Sequence, residues 1–147
     1  MTEFTIKKAL SLGIEAHKNG RIQEADQYYT AILKVDPDHP DANHNLGLIA
    51  VSVGKPEMSL SLFRNALKAD NNVEQFWFSL IDTLLTLEHY EDANTVITEA
   101  KNKGFSGEAF DKDPPRRQVQ DLIDLLNIGE FNSVLEKIGA LLSKFPR

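Results

Sequence analysis

Residues 12–37 read LGIEAHKNGRIQEADQYYTAILKVDP, and residues 46–71 read LGLIAVSVGKPEMSLSLFRNALKADN. The two stretches align without a gap at a step of 34 residues. A Leu-Gly pair, a later glycine, a small residue and an aromatic residue recur in the same order in both. These positions are Leu12, Gly13, Gly20, Ala25 and Tyr29 in the first stretch and Leu46, Gly47, Gly54, Ser59 and Phe63 in the second. Self-similarity at a fixed step predicts a chain built from copies of one structural unit.

A third copy continues at the same step, although it lacks the glycine of the Leu-Gly pair. Leu80-Ile81 takes the place of Leu46-Gly47, and Ala93 and Ile97 follow at the expected distances. Apolar residues recur at helical spacing within each copy, and glycine or proline separates the segments. The pattern therefore predicts paired helices, which we place at 4–18, 21–34, 40–52, 56–69, 73–87 and 89–103.

A helix-turn-helix unit of this length, with these marks, resembles the tetratricopeptide repeat. The resemblance covers roughly residues 6–105 and includes Asp36-Pro37 at the end of the first unit and Trp77 in the third. It implies an all-α fold, a superhelix of stacked helix pairs (an α-solenoid), in which the first helix of each pair lines a concave face.

The C-terminal third of the chain departs from the regular step. We assign residues 1–105 to three repeat units, 106–115 to a linker containing Pro114-Pro115, and 116–147 to a degenerate fourth helical hairpin. Its helices, predicted at 116–127 and 130–144, carry apolar residues on more than one side. Because a terminal repeat needs a polar outer face, we expect either a longer chain or a homo-oligomer formed through these helices.

A looser resemblance concerns short segments outside the repeat marks. Residues 77–81 (WFSLI), Lys103-Gly104, Pro114-Pro115 and Phe145-Pro146 are similar to the tetratricopeptide regions that precede bacterial glycosyl-, sulfo- and methyltransferase domains. This resemblance implies an alternative function, the regulatory or substrate-docking arm of a larger bacterial transferase.

The residues expected to line the concave face come from the first helix of each unit. They are Leu10, Ile14 and His17, then His44, Asn45, Leu48 and Val51, and finally Phe78, Asp82 and Leu85. The set is apolar with a few polar groups, as suits an amphipathic helix or an extended peptide. Asn45 also fits the clamp with which some family members hold a terminal carboxylate, but Gln75 and Ser79 stand where that clamp has cations. We therefore do not expect a carboxylate clamp.

Composition argues against most other functions. The net charge is −6, which disfavours nucleic acid, and the absence of cysteine excludes disulfides and thiolate chemistry. No signal peptide and no run of about 20 apolar residues is present, so we predict a cytoplasmic protein without membrane contact. The sequence lacks His-Glu-x-x-His, a Gly-rich phosphate loop and Gly-x-Ser-x-Gly. The four histidines, including His39 and His44, are expected to be exposed turn and helix residues.

These observations favour a non-catalytic scaffold that binds a protein segment in its groove, with no catalytic residue, metal or cofactor. The transferase arm and a self-association module remain as alternatives.

Overall fold

The structure, a computed structural model, describes residues 2–106 and 135–140. Within them all regular secondary structure is α-helical. Each of the first six helices begins and ends within one residue of its predicted bounds. The helices are α1 (Glu3–Lys18), α2 (Ile22–Val35), α3 (Pro40–Ser52), α4 (Pro56–Ala69), α5 (Glu74–Thr86) and α6 (Tyr90–Lys103). They pack as the pairs α1–α2, α3–α4 and α5–α6. Successive pairs also contact each other, since α3 packs against α2 and α5 packs against α4. The predicted all-α solenoid of helix pairs is thus confirmed.

The chain divides into two compact units, Met1–Phe105 and Ser106–Arg147. In the second unit Ser106 and residues 135–140 are described, and residues 135–140 are helical. The predicted linker after Ser106 and most of the fourth hairpin, with most of the apolar surface proposed for self-association, lie outside the described residues.

Helix ends are set by a few side chains with clear local roles. Thr2 caps α1, since its hydroxyl accepts the Thr5 N–H at 3.3 Å. His39 caps α3 in the same way, because its Nδ1 accepts the Ala42 N–H at 3.2 Å. Pro40 and Pro56 occupy the first turns of α3 and α4, where the missing N–H leaves no intrahelical hydrogen bond unmade.

Each helix pair is held together by a close contact between its two helices. A Cβ atom on Gly13 would lie 2.7 Å from the Tyr29 ring, and one on Gly47 would lie 2.5 Å from the Phe63 ring. Glycine in the first helix therefore makes room for an aromatic ring from the second. In the third pair the corresponding positions hold Ile81 and Ile97, both buried. Two branched aliphatic side chains there replace the combination of glycine and ring.

The turn between successive units is fixed by a hydrogen bond that recurs at the repeat step. The Asn43 side chain donates through Nδ2 to the Pro37 carbonyl at 2.9 Å. One unit later, Trp77 donates through Nε1 to the Asn71 carbonyl, also at 2.9 Å. Both side chains are buried, and Trp77 packs in the core as its place in the repeat predicts. An asparagine amide and a tryptophan indole thus donate to carbonyl groups at equivalent positions of successive units.

The turn after the first helix of each pair requires a left-handed residue. Gly20 and Gly54 have φ of 75° and 78°, and the third turn places Glu88 there with φ of 67°. In each turn the following residue donates its N–H to a carbonyl five positions earlier, as His89 does to Leu84 at 2.9 Å. A residue with a Cβ atom is strained at this position, whereas glycine is not.

Replacing Glu88 with glycine is therefore expected to raise the free energy of unfolding by about 1 kcal/mol. Urea denaturation of the variant and the parent measures the difference. Glu88→Ala is the matched control, because it removes the side-chain carboxylate and keeps the strained Cβ atom. An equal gain in both variants would show that the side chain, and not the backbone conformation, is responsible.

Candidate peptide-binding face

The ten residues predicted to line a groove all lie on α1, α3 and α5, the first helices of the three pairs. Helix α3 contacts both α1 and α5, so the three helices form a continuous surface, which we call the α1–α3–α5 face. Nine of the ten side chains keep accessible surface there. Val51 is 40% exposed and Asp82 is also exposed. The partly exposed members are Leu10, Ile14, His17, Asn45, Leu48, Phe78 and Leu85.

Two of these side chains also contribute to the core. Leu10 and Ile14 pack against a buried cluster that contains Ala25 and Tyr29. Their inner atoms therefore stabilise the first unit, while their outer atoms remain available to a partner. A substitution at either position would affect both roles, so the face is better tested at Leu48 and Phe78.

A shallow pocket lies where α1 meets α3. It has a volume of about 290 Å³ and is lined by Ile14, His17, Lys18, Tyr29 and Asn45. Three of the predicted residues, Ile14, His17 and Asn45, are brought together here. The sequence interpretation missed Lys18 as a lining residue. The available signal was its position, because Lys18 directly follows the predicted lining residue His17 at the end of α1.

The structure corrects the expectation for His44, which is buried at 5% exposure and not an exposed groove residue. Its Nε2 lies 2.8 Å from the Ser79 hydroxyl on α5. The imidazole also stacks near Phe76 and Phe63, with ring centroids 4.7 Å and 5.5 Å away. The expectation was wrong because the partner that satisfies this polar ring comes from the next unit, where nothing in the local sequence marks it.

The Ser79 hydroxyl connects His44 to the rim of the face. Gln75 donates to this hydroxyl through Nε2 at 3.2 Å. The chain Gln75–Ser79–His44 thus links α5 to α3 by side-chain hydrogen bonds, in a region where the neighbouring residues are mostly aromatic. Buried polar groups are stable only when they are hydrogen-bonded. This small network fixes the position of α5 against α3.

Burial lowers the pKa of His44 below its ordinary value, against smaller opposing effects from a hydrogen bond with Asn45 and from the Asp41 carboxylate. The folded protein therefore resists protonation of this ring more than the unfolded chain does. Since the unfolded state binds the proton more readily, stability falls as the pH decreases below about 6.5, the ordinary histidine pKa.

We expect the free energy of unfolding to decrease between pH 7.5 and 5.5 by more in the parent than in His44→Gln. Glutamine keeps a polar group for Ser79 and does not titrate. Urea titrations at the two pH values measure the difference, and the other three histidines cancel in the comparison. Equal decreases in parent and variant would show that His44 does not cause the loss of stability at low pH.

Two general findings bear on the chemistry of the site. Within residues 2–106 and 135–140, no group of three or more histidine, aspartate or glutamate side chains is placed to hold a metal ion. In the same part of the chain, no helix has the length and apolar character needed to cross a membrane.

Comparison with known proteins places this geometry in a class. The family model described as tetratricopeptide repeat matches residues 6–39 and 40–73, which are the first two helix pairs together with the turns that follow them. No curated protein sequence gives a significant match.

Solved structures share the fold at low sequence identity. The Sgt2 TPR domain from Aspergillus fumigatus has a TM-score of 0.64 and 21% identity, covering 86% of this chain and 83% of that one. The Yersinia enterocolitica chaperone SycD, in complex with a peptide of the translocator YopD, has a TM-score of 0.62 and 15% identity, covering 97% and 96%. The Thermobaculum terrenum O-GlcNAc transferase has a TM-score of 0.62 and 24% identity, covering 85% of this chain but only 23% of the transferase.

The fold and its exposed helical face define an α-helical repeat protein built from stacked helix pairs. More particularly, residues 6–73 match the tetratricopeptide repeat as two consecutive copies. The α5–α6 pair continues the same arrangement beyond them.

Proposed function

We propose that this protein is a non-catalytic scaffold that binds a peptide or helix of another protein on its α1–α3–α5 face. The observation that carries the proposal is the row of partly exposed apolar side chains along three adjacent helices, with a pocket between α1 and α3. Surface of this kind is unfavourable to leave in water and favourable to cover.

The dimensions and chemistry of the face indicate the kind of partner. A pocket of about 290 Å³ is at the lower limit for a small-molecule site, and it suits one anchoring side chain of a peptide. Leu48, Val51 and Phe78 offer further apolar contact. Asn45 and Asp82 supply polar groups that would set the position of a bound peptide along the face. An amphipathic helix or a partly apolar extended segment matches this combination.

Structural relatives support the same reading. SycD is described in complex with a peptide of the translocator YopD, and it shares this fold over nearly its whole length. We extend peptide binding from that protein to this one as part of the proposal. The acidic net charge disfavours nucleic acid as the partner. We further propose a cytoplasmic location, with no metal, cofactor or membrane involved in function.

A double variant tests the proposal. Leu48→Glu with Phe78→Glu places two charges in the middle of the face, and we expect binding of a peptide selected against the parent from a displayed library to fall at least about a hundredfold. Each buried apolar contact contributes roughly 1.5–3 kcal/mol, and 1.4 kcal/mol corresponds to a factor of ten. Fluorescence anisotropy of the labelled peptide measures the affinity.

The matched control places the same charges elsewhere. Val35 and Met58 are 49% and 61% exposed and lie on α2 and α4, the second helices of their pairs. Val35→Glu with Met58→Glu is expected to bind the peptide as the parent does. Both double variants should retain the helical circular dichroism of the parent. A folded Leu48/Phe78 variant with undiminished affinity would contradict the proposed face.

A second candidate is the docking arm of a larger bacterial transferase. The favouring observation is the structural similarity to the O-GlcNAc transferase from Thermobaculum terrenum, of which this chain spans 23%. In that case the α1–α3–α5 face would hold the protein substrate or a regulator of the enzyme. Sequencing the gene on both sides of residues 1–147 tests this candidate, since a transferase domain in the same reading frame is expected.

A further inference from the structure

A second cleft lies away from the α1–α3–α5 face, between helices α4 and α6. It has a volume of about 280 Å³ and a floor formed by Trp77, Leu80 and Val96, which are 6%, 1% and 4% exposed. Leu67 of α4 adds an apolar side. Helix α4 packs chiefly against α3 and α5, so its outer side leaves an opening towards α6. We call this opening the α4–α6 cleft.

Charged side chains border the α4–α6 cleft. Arg64 and Lys68 stand one helical turn apart on α4, and both are exposed. Among the described residues the ion pairs are Lys7 with Glu3 and Arg21 with Glu24, so neither cation has a carboxylate partner there. Two unneutralised cations beside an apolar floor are notable in a chain with a net charge of −6.

The opposite border carries Glu99 of α6, and Asn71 lies at the end of the cleft. Glu99 repels an incoming carboxylate, which directs such a group to the α4 side. One unit earlier, the positions of Arg64, Lys68 and Glu99 hold Thr30, Lys34 and Asn65. The arginine and the glutamate are therefore particular to this cleft and are not features of the repeat itself.

We propose that the α4–α6 cleft is a second docking site, which takes an acidic segment of a partner protein. One apolar side chain of the segment rests on Leu67 and on the accessible edge of Trp77, and a neighbouring carboxylate pairs with Arg64 and Lys68. The guanidinium group can hold a carboxylate through two parallel hydrogen bonds, and Lys68 adds a second charge. The volume is below that of most small-molecule sites and suits a single side chain.

The experiment uses the tryptophan as its own reporter. Trp77 is the single tryptophan of the chain and forms the floor of the cleft, so its fluorescence and its indole N–H resonance report occupancy of this site. The probe is an amidated peptide in which leucine alternates with glutamate, and the matched probe has glutamine in place of every glutamate. We expect a saturable response of Trp77 to the glutamate peptide, weaker at high salt, and at least a tenfold lower affinity for the glutamine peptide.

Variants identify the residues responsible. Arg64→Gln is expected to weaken binding of the glutamate peptide at least about tenfold, and Lys68→Gln by a smaller factor. Lys34→Gln, the equivalent of Lys68→Gln one unit earlier, is the control and should bind normally. The three residues are exposed, so the variants are expected to fold, and circular dichroism checks this.

Three outcomes would overturn the proposal. They are no Trp77 response up to millimolar glutamate peptide, equal affinity for the glutamine peptide, and full affinity in a folded Arg64→Gln variant. The Leu48/Phe78 double variant separates the two sites, since it should lose the library-selected peptide and keep the glutamate peptide. Loss of the glutamate peptide in that variant would place the acidic segment on the α1–α3–α5 face and reject the cleft.

Discussion

Replacing Gly47 with isoleucine is expected to lower the free energy of unfolding by about 3 kcal/mol or more. At an exposed helical position the same change would be favourable, because glycine is a poor helix former. Here the new Cβ atom would lie 2.5 Å from Cε1 of Phe63, inside its van der Waals contact distance. Forcing extra atoms into a packed core costs typically 1–3 kcal/mol, and this contact is with a ring that is itself fully buried. Urea denaturation measures the loss.

A second substitution provides the control for this clash. In the third helix pair, Ile81 and Ile97 occupy the positions of Gly47 and Phe63. Gly47→Ile combined with Phe63→Ile reproduces that combination and is expected to recover much of the stability lost by Gly47→Ile alone. The two changes should therefore be strongly non-additive. Additive losses would mean that the contact between glycine and ring does not set the spacing of the second pair.

Replacing Ala25 with leucine is expected to cost about 1–3 kcal/mol, with a similar loss for Ala93→Leu. Both alanines are fully buried, and Ala25 belongs to a cluster with Ala16, Tyr29 and Ile49. Small residues at this position let the two helices of a pair approach closely. For a chain of 147 residues such losses lower the melting temperature by roughly 2–4 °C per kcal/mol, which a thermal scan resolves.

Asp26→Leu is the matched control, since Asp26 is the exposed neighbour of Ala25 on α2. It is expected to change the free energy of unfolding by no more than about 0.5 kcal/mol. If the melting temperature of Ala25→Leu or Ala93→Leu equalled that of the parent, the repeat assignment at that position would be incorrect.

Much of the fold could be predicted because individual residues in the local sequence mark the turns and helix starts of each repeat. Gly20 and Gly54 mark left-handed turns, Pro40 and Pro56 mark helix starts, and the apolar spacing gives the helical period. The candidate face was placed by the same logic, because the first helix of each pair was expected to line it, but the helix assignment alone does not separate its exposed residues from buried ones such as His44.

The contacts between units could not be predicted in the same way. His44 is polar and was expected to be exposed, but Ser79 of the next unit satisfies it. Asn43 donates to the Pro37 carbonyl in the role that Trp77 fills one unit later, although the two side chains have nothing else in common. Such contacts depend on how one helix pair stacks on the next, which periodicity alone does not specify.

The α4–α6 cleft was missed for a related reason. Arg64 and Lys68 read in the sequence as ordinary charges on the outer side of a helix. Only the stacking of α5 and α6 shows that Trp77 and Leu80 form a floor beside them. Pockets formed by two second helices and an intervening first helix have no short sequence signature.

Site-specific photocrosslinking tests the peptide-binding proposal most directly. A photoreactive phenylalanine analogue is introduced at Val51 on the α1–α3–α5 face, or at Met58 on α4, and each protein is irradiated with the peptide selected against the parent. Both positions are exposed, at 40% and 61%, so either can accept the analogue without disturbing the core. We predict that the peptide is crosslinked from Val51 and not from Met58. Crosslinking from Met58 with none from Val51 would contradict the proposed binding face.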